Sequence, residues 1–115
     1  MIDLKGKNVQ LCGRVSDLPR DRAESEFGCA ASWCMAAGAK FVFNPVAIVD
    51  KAASHETAMR MCLGWLVNHA DVLVKLPGYE MSQGAWIECK VADACGIKSV
   101  QLIDLIAEEG NHGRA

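Results

Sequence analysis

The sequence has no Cys-x-x-Cys pair, no cluster of histidines, no basic excess and no long apolar run, and each absence removes a class of function. His55, His69 and His112 are scattered, none with a neighbour at metal-ligand spacing, so no metal site is expected. With 12 Lys and Arg against 14 Asp and Glu, a net charge of -2 and a pI near 5.9, the chain offers no field for collecting backbone phosphates, and duplex nucleic acid is not an expected partner. Apolar runs such as Val72 to Val74 fall far short of the roughly 20 residues that cross a bilayer. Met1-Ile2-Asp3-Leu4-Lys5 also lacks the apolar stretch of a signal peptide, so no membrane partner and a cytoplasmic location are expected. Glycine and proline together make up only 13 of 115 residues, while hydrophobic residues make up 51%. That composition describes a single globular domain over residues 1–115.

Cysteine is the residue in excess. Cys12, Cys29, Cys34, Cys62, Cys89 and Cys95 each lie among small and apolar neighbours, in segments that read as strand or helix, and are expected to be buried reduced thiols.

Along the chain the periodicity alternates between the two regular types. Asn8 to Cys12 reads as a strand ended by Gly13, and Ala23 to Ala37 as a helix with Phe27, Ala30, Ala31, Cys34 and Ala37 on one stripe, stopped by Gly38. Lys40 to Asn44 is a second strand entering a turn at Asn44-Pro45, followed by a long loop. Ser54 or Thr57 caps a helix that carries Ala58, Met61, Cys62, Trp65 and Leu66 to about Ala70. Val72 to Leu76 has the near-continuous apolar character of a buried parallel strand. Ser82 caps a third helix with Ile87, Val91, Ala94 and Cys95 as its buried stripe, Ile97 to Ile103 is a fourth strand, and Asp104 to Ala115 is a tail with at most a short helical turn and a frayed end from Asn111. The alternation predicts an α/β fold: a small Rossmann-like, flavodoxin-like three-layer domain with a parallel sheet of about four strands. In such sheets ligands bind beyond the carboxyl ends of the strands, here Gly13 to Arg22, Asn44 to Glu56 and Pro77 to Glu88.

Within these loops, Leu76-Pro77-Gly78-Tyr79-Glu80-Met81-Ser82-Gln83-Gly84-Ala85 followed by Glu88 stands out. Gly84 lies four residues before Glu88 and Ala92 four after, so small residues flank the carboxylate on one helical face and leave room for a ligand. A solvated Glu on an exposed helix face is the competing reading. Asp71 sits at the start of its strand, the sheet end away from the site, and reads as structural.

Together with Asn44-Pro45, Met59-Arg60 and Asp71 to Leu76, this segment resembles the nucleoside 2-deoxyribosyltransferase superfamily. It is most similar to the deoxyribosyltransferase-like family catalogued as a domain of unknown function and common in phage and prophage genomes. The resemblance runs from about Val9 to Val100; the family's usual Gly-Pro after the first strand is Gly13-Arg14 here. It implies the same Rossmann-like fold, no cofactor, and Glu88 as a nucleophile at C1′ of a nucleoside or nucleotide. The transferases use an Asp six residues before that nucleophile, where this chain has Ser82, with Glu80 nearby as a substitute. Gly13, Asn44, Pro45, Arg60, Gly78, Tyr79, Glu80, Gly84 and Ala85 are the implied substrate-binding positions, Tyr79 as a ring to stack on a base. Ser82 equally reads as a helix cap, and Arg60 as one end of a surface ion pair.

Two functions stay open. One is an enzyme acting on an N-glycosidic bond through Glu88. The other is a protein that holds a nucleotide or ADP-ribose-like metabolite without turning it over. A homodimer or larger homo-oligomer is also expected, because Trp33, Trp65, Trp86, Met59 and Met61 exceed what a small sheet needs to cover itself.

Overall fold

The computed structural model describes residues 2–112. Among these residues five helices and four strands follow in the order β1 (Asn8–Cys12), α1 (Arg20–Ala36), β2 (Phe41–Phe43), α2 (Pro45–Ile48), α3 (His55–His69), β3 (Val72–Lys75), α4 (Gln83–Ala94), β4 (Lys98–Gln101) and α5 (Leu102–His112), with a 3-10 turn at Tyr79–Met81 before α4. The strands form one sheet in the order β2-β1-β3-β4, and all three pairings are parallel. This is the predicted α/β architecture.

The two central strands divide their side chains by parity. Val9 and Leu11 of β1, with Val72 and Val74 of β3, join Phe27, Ala30 and Cys34 of α1 and Leu102 and Leu105 of α5 in one apolar layer. Cys12 and Leu73 pack on the other face with Leu66 of α3 and Ala85 and Ala92 of α4. Each large apolar side chain so buried contributes about 1.5–3 kcal/mol. Gln10 alternates with Val9 and Leu11, so its parity directs it to the α3–α4 face, and it is fully buried.

Asp71 is structural, as read: its carboxylate accepts the Asn8 backbone N–H at 2.8 Å and ties the starts of β1 and β3. Gly38 and Gly96, the stops after α1 and α4, have positive φ of 101° and 70°, which side chains rarely adopt.

Several boundaries differ from expectation. α1 begins at Arg20, immediately after Pro19, because proline's fixed φ suits a helix entry. Asn44-Pro45 opens α2, where a long loop was expected; the Asn44 side chain caps it by accepting from the Val46 N–H at 3.0 Å. The C-terminal tail is a full helix from Leu102, and the fourth strand stops at Gln101; Leu102 and Leu105, three apart, bury one stripe while Ile103 turns outward. The frayed-end reading for residues 113–115 lies outside the described residues. On α4 the buried face is Ala85, Glu88 and Ala92, whereas Ala94 and Cys95 are exposed. Cys12, Cys34 and Cys62 are buried free thiols, but Cys29 and Cys95 are exposed and Cys89 is half-buried.

Candidate functional site

From β1 the chain passes through α1 to β2 on one side; from β2 it crosses to β3 on the other. The connections that leave the carboxyl ends of β1 and β3 therefore run to opposite sides, and a crevice lies where the strand order reverses. A cavity of about 900 Å³ lies there. Cys12 and Gly13 at the end of β1 form part of its wall, with Met59 and Cys62 from α3, and Ser82, Gly84 and Glu88 from the start of α4.

Glu88 is buried because of what flanks it. Ala85 and Ala92 lie three residues before it and four after, and their small side chains let α4 pack closely on the sheet with the carboxylate between. Glu88 is 6% exposed, and its Oε2 accepts from Gln10 Nε2 at 3.3 Å, while the same amide nitrogen donates to the Cys62 carbonyl at 3.0 Å. Gln10 Oε1 is buried with no hydrogen-bond partner among the described residues. Burial raises the Glu88 carboxyl to about 8; the Gln10 N–H works against that rise and the neighbouring Cys89 adds to it. The Cys62 thiol, buried near that carboxylate, is pushed up to about 12.

The other carboxylates of the wall are engaged at the surface. Asp17 accepts from Arg14 at 2.9 Å, which holds its carboxyl below the usual range, and Asp50 accepts from the Ala52 N–H at 2.8 Å. Glu88 is thus the buried acid of the cavity. Cationic character enters from Arg20, whose Nη2 donates to the Val46 carbonyl at 2.7 Å while its buried Nε has no partner among the described residues.

The structure brings together Glu88, Ser82, Gly13, Pro45, Gly84 and Ala85 on the cavity wall. Ser82 caps α4, its Oγ accepting from the Ala85 N–H at 3.2 Å. A Cβ on Gly84 would stand 3.2 Å from Met59 Sδ, so the glycine keeps the space between α4 and α3 open. Gly13 serves packing as well: a Cβ there would meet Leu76 at 3.1 Å and Phe27 at 3.3 Å.

Asn44, Arg60, Gly78, Tyr79 and Glu80 do not line the cavity. Asn44 caps α2 and Arg60 is exposed on α3. Gly78, at φ 85°, turns the chain against the Arg14 side chain. Tyr79 packs on the apolar layer under α4 with Lys75 Nζ 5.0 Å from its ring centre, and Glu80 is exposed. Cys62 lines the cavity and Gln10 holds the Glu88 carboxylate, and pattern reading assigned neither to the site; Met59 and Arg20, from the Met59-Arg60 motif and the Gly13 to Arg22 loop, line it as well. For Gln10 a signal existed: a lone amide inside an apolar central strand has both faces covered and needs a buried partner.

Among the described residues no group of three or more His, Cys, Asp or Glu is placed to hold a metal ion, and no helix is long and apolar enough to cross a membrane. No curated protein and no solved structure matches the chain. A family model does match, over residues 7–101, a span that contains all four strands, the cavity wall and Glu88 and stops where α5 begins, so the chain belongs to the family described as Domain of unknown function (DUF4406).

Proposed function

We propose that the protein breaks or transfers the N-glycosidic bond of a nucleoside or nucleotide, with Glu88 as nucleophile. The observation that carries this reading is a buried carboxyl group, held by an amide, facing a cavity of about 900 Å³ at the carboxyl ends of a parallel sheet. The resemblance to nucleoside 2-deoxyribosyltransferases supports it. In its ionised form Glu88 attacks C1′; the C1′–N bond breaks and its electron pair leaves with the base, which takes up a proton. Water or a second base then displaces the carboxylate from the glycosyl ester, in the manner of a retaining glycosidase. No step calls for a metal or organic cofactor.

Gln10 is the positioning residue. Its Nε2 fixes one carboxylate oxygen and favours the charged form, opposing the burial that favours the neutral one. With that carboxyl raised to about 8 by burial, the neutral form prevails at neutral pH, which favours a second reading: a protein that binds a nucleotide or ADP-ribose-like metabolite with a protonated Glu88 as hydrogen-bond donor. The Ser82 hydroxyl, capping α4, cannot act as a neutral-pH base in place of an Asp.

Incubation with nucleosides and nucleoside monophosphates, followed by chromatography, separates the readings: release of free base supports the enzyme, and intact ligand with measurable binding supports the binder. A 2-fluoro-substituted substrate, which slows breakdown of the ester, should leave a sugar-sized adduct mapping to Glu88. Absence of base release, adduct and binding alike would overturn both. With this reading go a cytoplasmic location and a homo-oligomeric state.

A further inference from the structure

His55 has no partner at metal-ligand spacing, and folding gives it a place that the sequence does not show. Ser54 caps α3, its Oγ accepting from the Thr57 N–H at 3.1 Å, which fixes His55 as the first residue of that helix. There it lines the cavity together with Ser82, Gly84 and Glu88 of the facing segment. A Cβ on Gly84 would stand 4.0 Å from His55 Cε1 and 3.9 Å from Ser82 Oγ, so the edge of the imidazole lies beside a residue with no side chain to screen it. Glu88 is one turn further along α4 on the same face, about 5–6 Å from Gly84 between Cβ positions, and helix side chains lean back towards the N-terminal turn. The ring edge and the base of the Glu88 side chain are thus less than about 10 Å apart across Gly84, a gap that a sugar ring spans. We infer that His55 is the general base of the second half of the reaction, taking the proton from the water that displaces Glu88 from the sugar. This assignment rests on the reading of Glu88 as nucleophile.

The other polar side chains of the wall are committed or unsuited. Ser82 Oγ accepts from the Ala85 N–H, and a hydroxyl does not take up a proton at neutral pH. Asp17 is paired with Arg14, and Asp50 accepts from the Ala52 N–H. Arg20 and Lys51, when charged, have no lone pair to offer. Imidazole is the side chain whose ordinary titration falls between pH 5 and 8, so its neutral, proton-accepting form is available near neutrality. His55 is also exposed, where water enters and a proton can pass on to solvent.

In the step itself, an imidazole nitrogen of His55 takes a proton from water as the water oxygen bonds to C1′. The bond from C1′ to the Glu88 oxygen breaks, and its electron pair returns to the carboxylate. The imidazolium then gives its proton to solvent, and the sugar leaves with a hydroxyl at C1′. Both side chains are back in their starting forms, ready for the next substrate.

The test uses the full chain and the nucleoside or nucleoside monophosphate from which the wild type releases base. His55→Ala should still release about one base per chain in a rapid first turnover, and then run at a steady rate about 100-fold below wild type. kcat/KM, which reports the first half, should change by less than about threefold. A sugar-sized adduct on Glu88 should accumulate without any fluorine in the substrate. Sodium azide attacks C1′ with no proton to lose, so it should raise the steady rate of His55→Ala at least about tenfold and give a glycosyl azide by mass spectrometry. His55→Gln, which keeps a polar side chain of similar length but no base, should behave like His55→Ala. Steady rates equal to wild type in both variants overturn the assignment. So does a joint fall in kcat and kcat/KM with no burst and no azide rescue, which would give His55 a binding or packing role while leaving Glu88 as nucleophile. A wild type that releases no base from any nucleoside or nucleoside monophosphate removes the roles of Glu88 and His55 together, and that arm alone separates the two failures.

Discussion

Glu88 is an acid that folding places where its charged form is disfavoured, so it couples function to stability. Its carboxyl rises from 4.5 to about 8 on folding. The folded state therefore holds this proton more tightly than the unfolded chain; the stability it contributes is complete below 4.5 and is lost as pH rises towards 8. At about 1.4 kcal/mol per unit the full effect is on the order of several kcal/mol. Glu88→Gln keeps the shape but carries no charge. It should lie within ~1 kcal/mol of wild type at pH 5 and be more stable by ~2–4 kcal/mol at pH 9, measured by urea denaturation. An equal difference at both pH values would show that Glu88 is not desolvated. If Glu88 is the nucleophile, kcat/KM should rise with pH through about 8. Gln10→Leu removes the N–H that holds the carboxyl down and should move that limb to higher pH; an unmoved limb would assign it to another group. At this scale the sequence shows Glu88, because small residues at helical spacing mark its face, but not Gln10, whose partner is 78 positions away.

At the scale of elements, the start of α4 carries two short-range devices with different consequences. Ser82 satisfies the Ala85 N–H, and Ser82→Ala should cost ~1 kcal/mol of stability, read from a thermal melt. A loss of activity far beyond that of an equally destabilised variant would show that the hydroxyl also touches substrate. Gly84 faces Met59 across the cavity wall. Gly84→Ala should be near neutral for stability, since the helix gains up to ~1 kcal/mol and Met59 must give way slightly. Gly84→Leu should fill the opening and weaken nucleotide binding at least ~10-fold, by calorimetry, without unfolding the chain. Undiminished binding would place the ligand elsewhere. The elements themselves were legible where periodicity ran long, as in α3 with its Ser54 cap. They were not legible where two signals overlap: α2 has only four residues after Asn44-Pro45, a pair that also marks turns, and the apolar run from Ile97 to Ile103 passes from β4 into α5 without a break in hydropathy.

For the whole molecule, strand order decides where chemistry can happen. Alternation of strands and helices in the sequence implies a parallel sheet, but not that β1 lies between β2 and β3; only that order puts the crevice between Gly13 and the start of α4. The same closure leaves apolar surface outside. Of the large side chains that pointed to self-association, Trp65 stacks on Phe43 with ring centres 5.1 Å apart, Trp33 packs on the core and Met59 lines the cavity. Trp86 is 54% exposed and partly covered by Lys90. A more open pair is Ile103, 61% exposed, and Ile106, 44% exposed, one turn apart on α5 beside the edge strand β4. A second copy meeting this stripe about a two-fold axis would bury both isoleucines twice over, and β4, paired only on its β3 side, would lie at the same seam. Light scattering at micromolar concentration should then give a particle heavier than 12.4 kDa, and Ile103→Glu with Ile106→Glu should return it to that mass, because four like charges would face one another across the axis. A wild-type particle of 12.4 kDa would dismiss the oligomer, and a large particle indifferent to the double substitution would move the interface to another face.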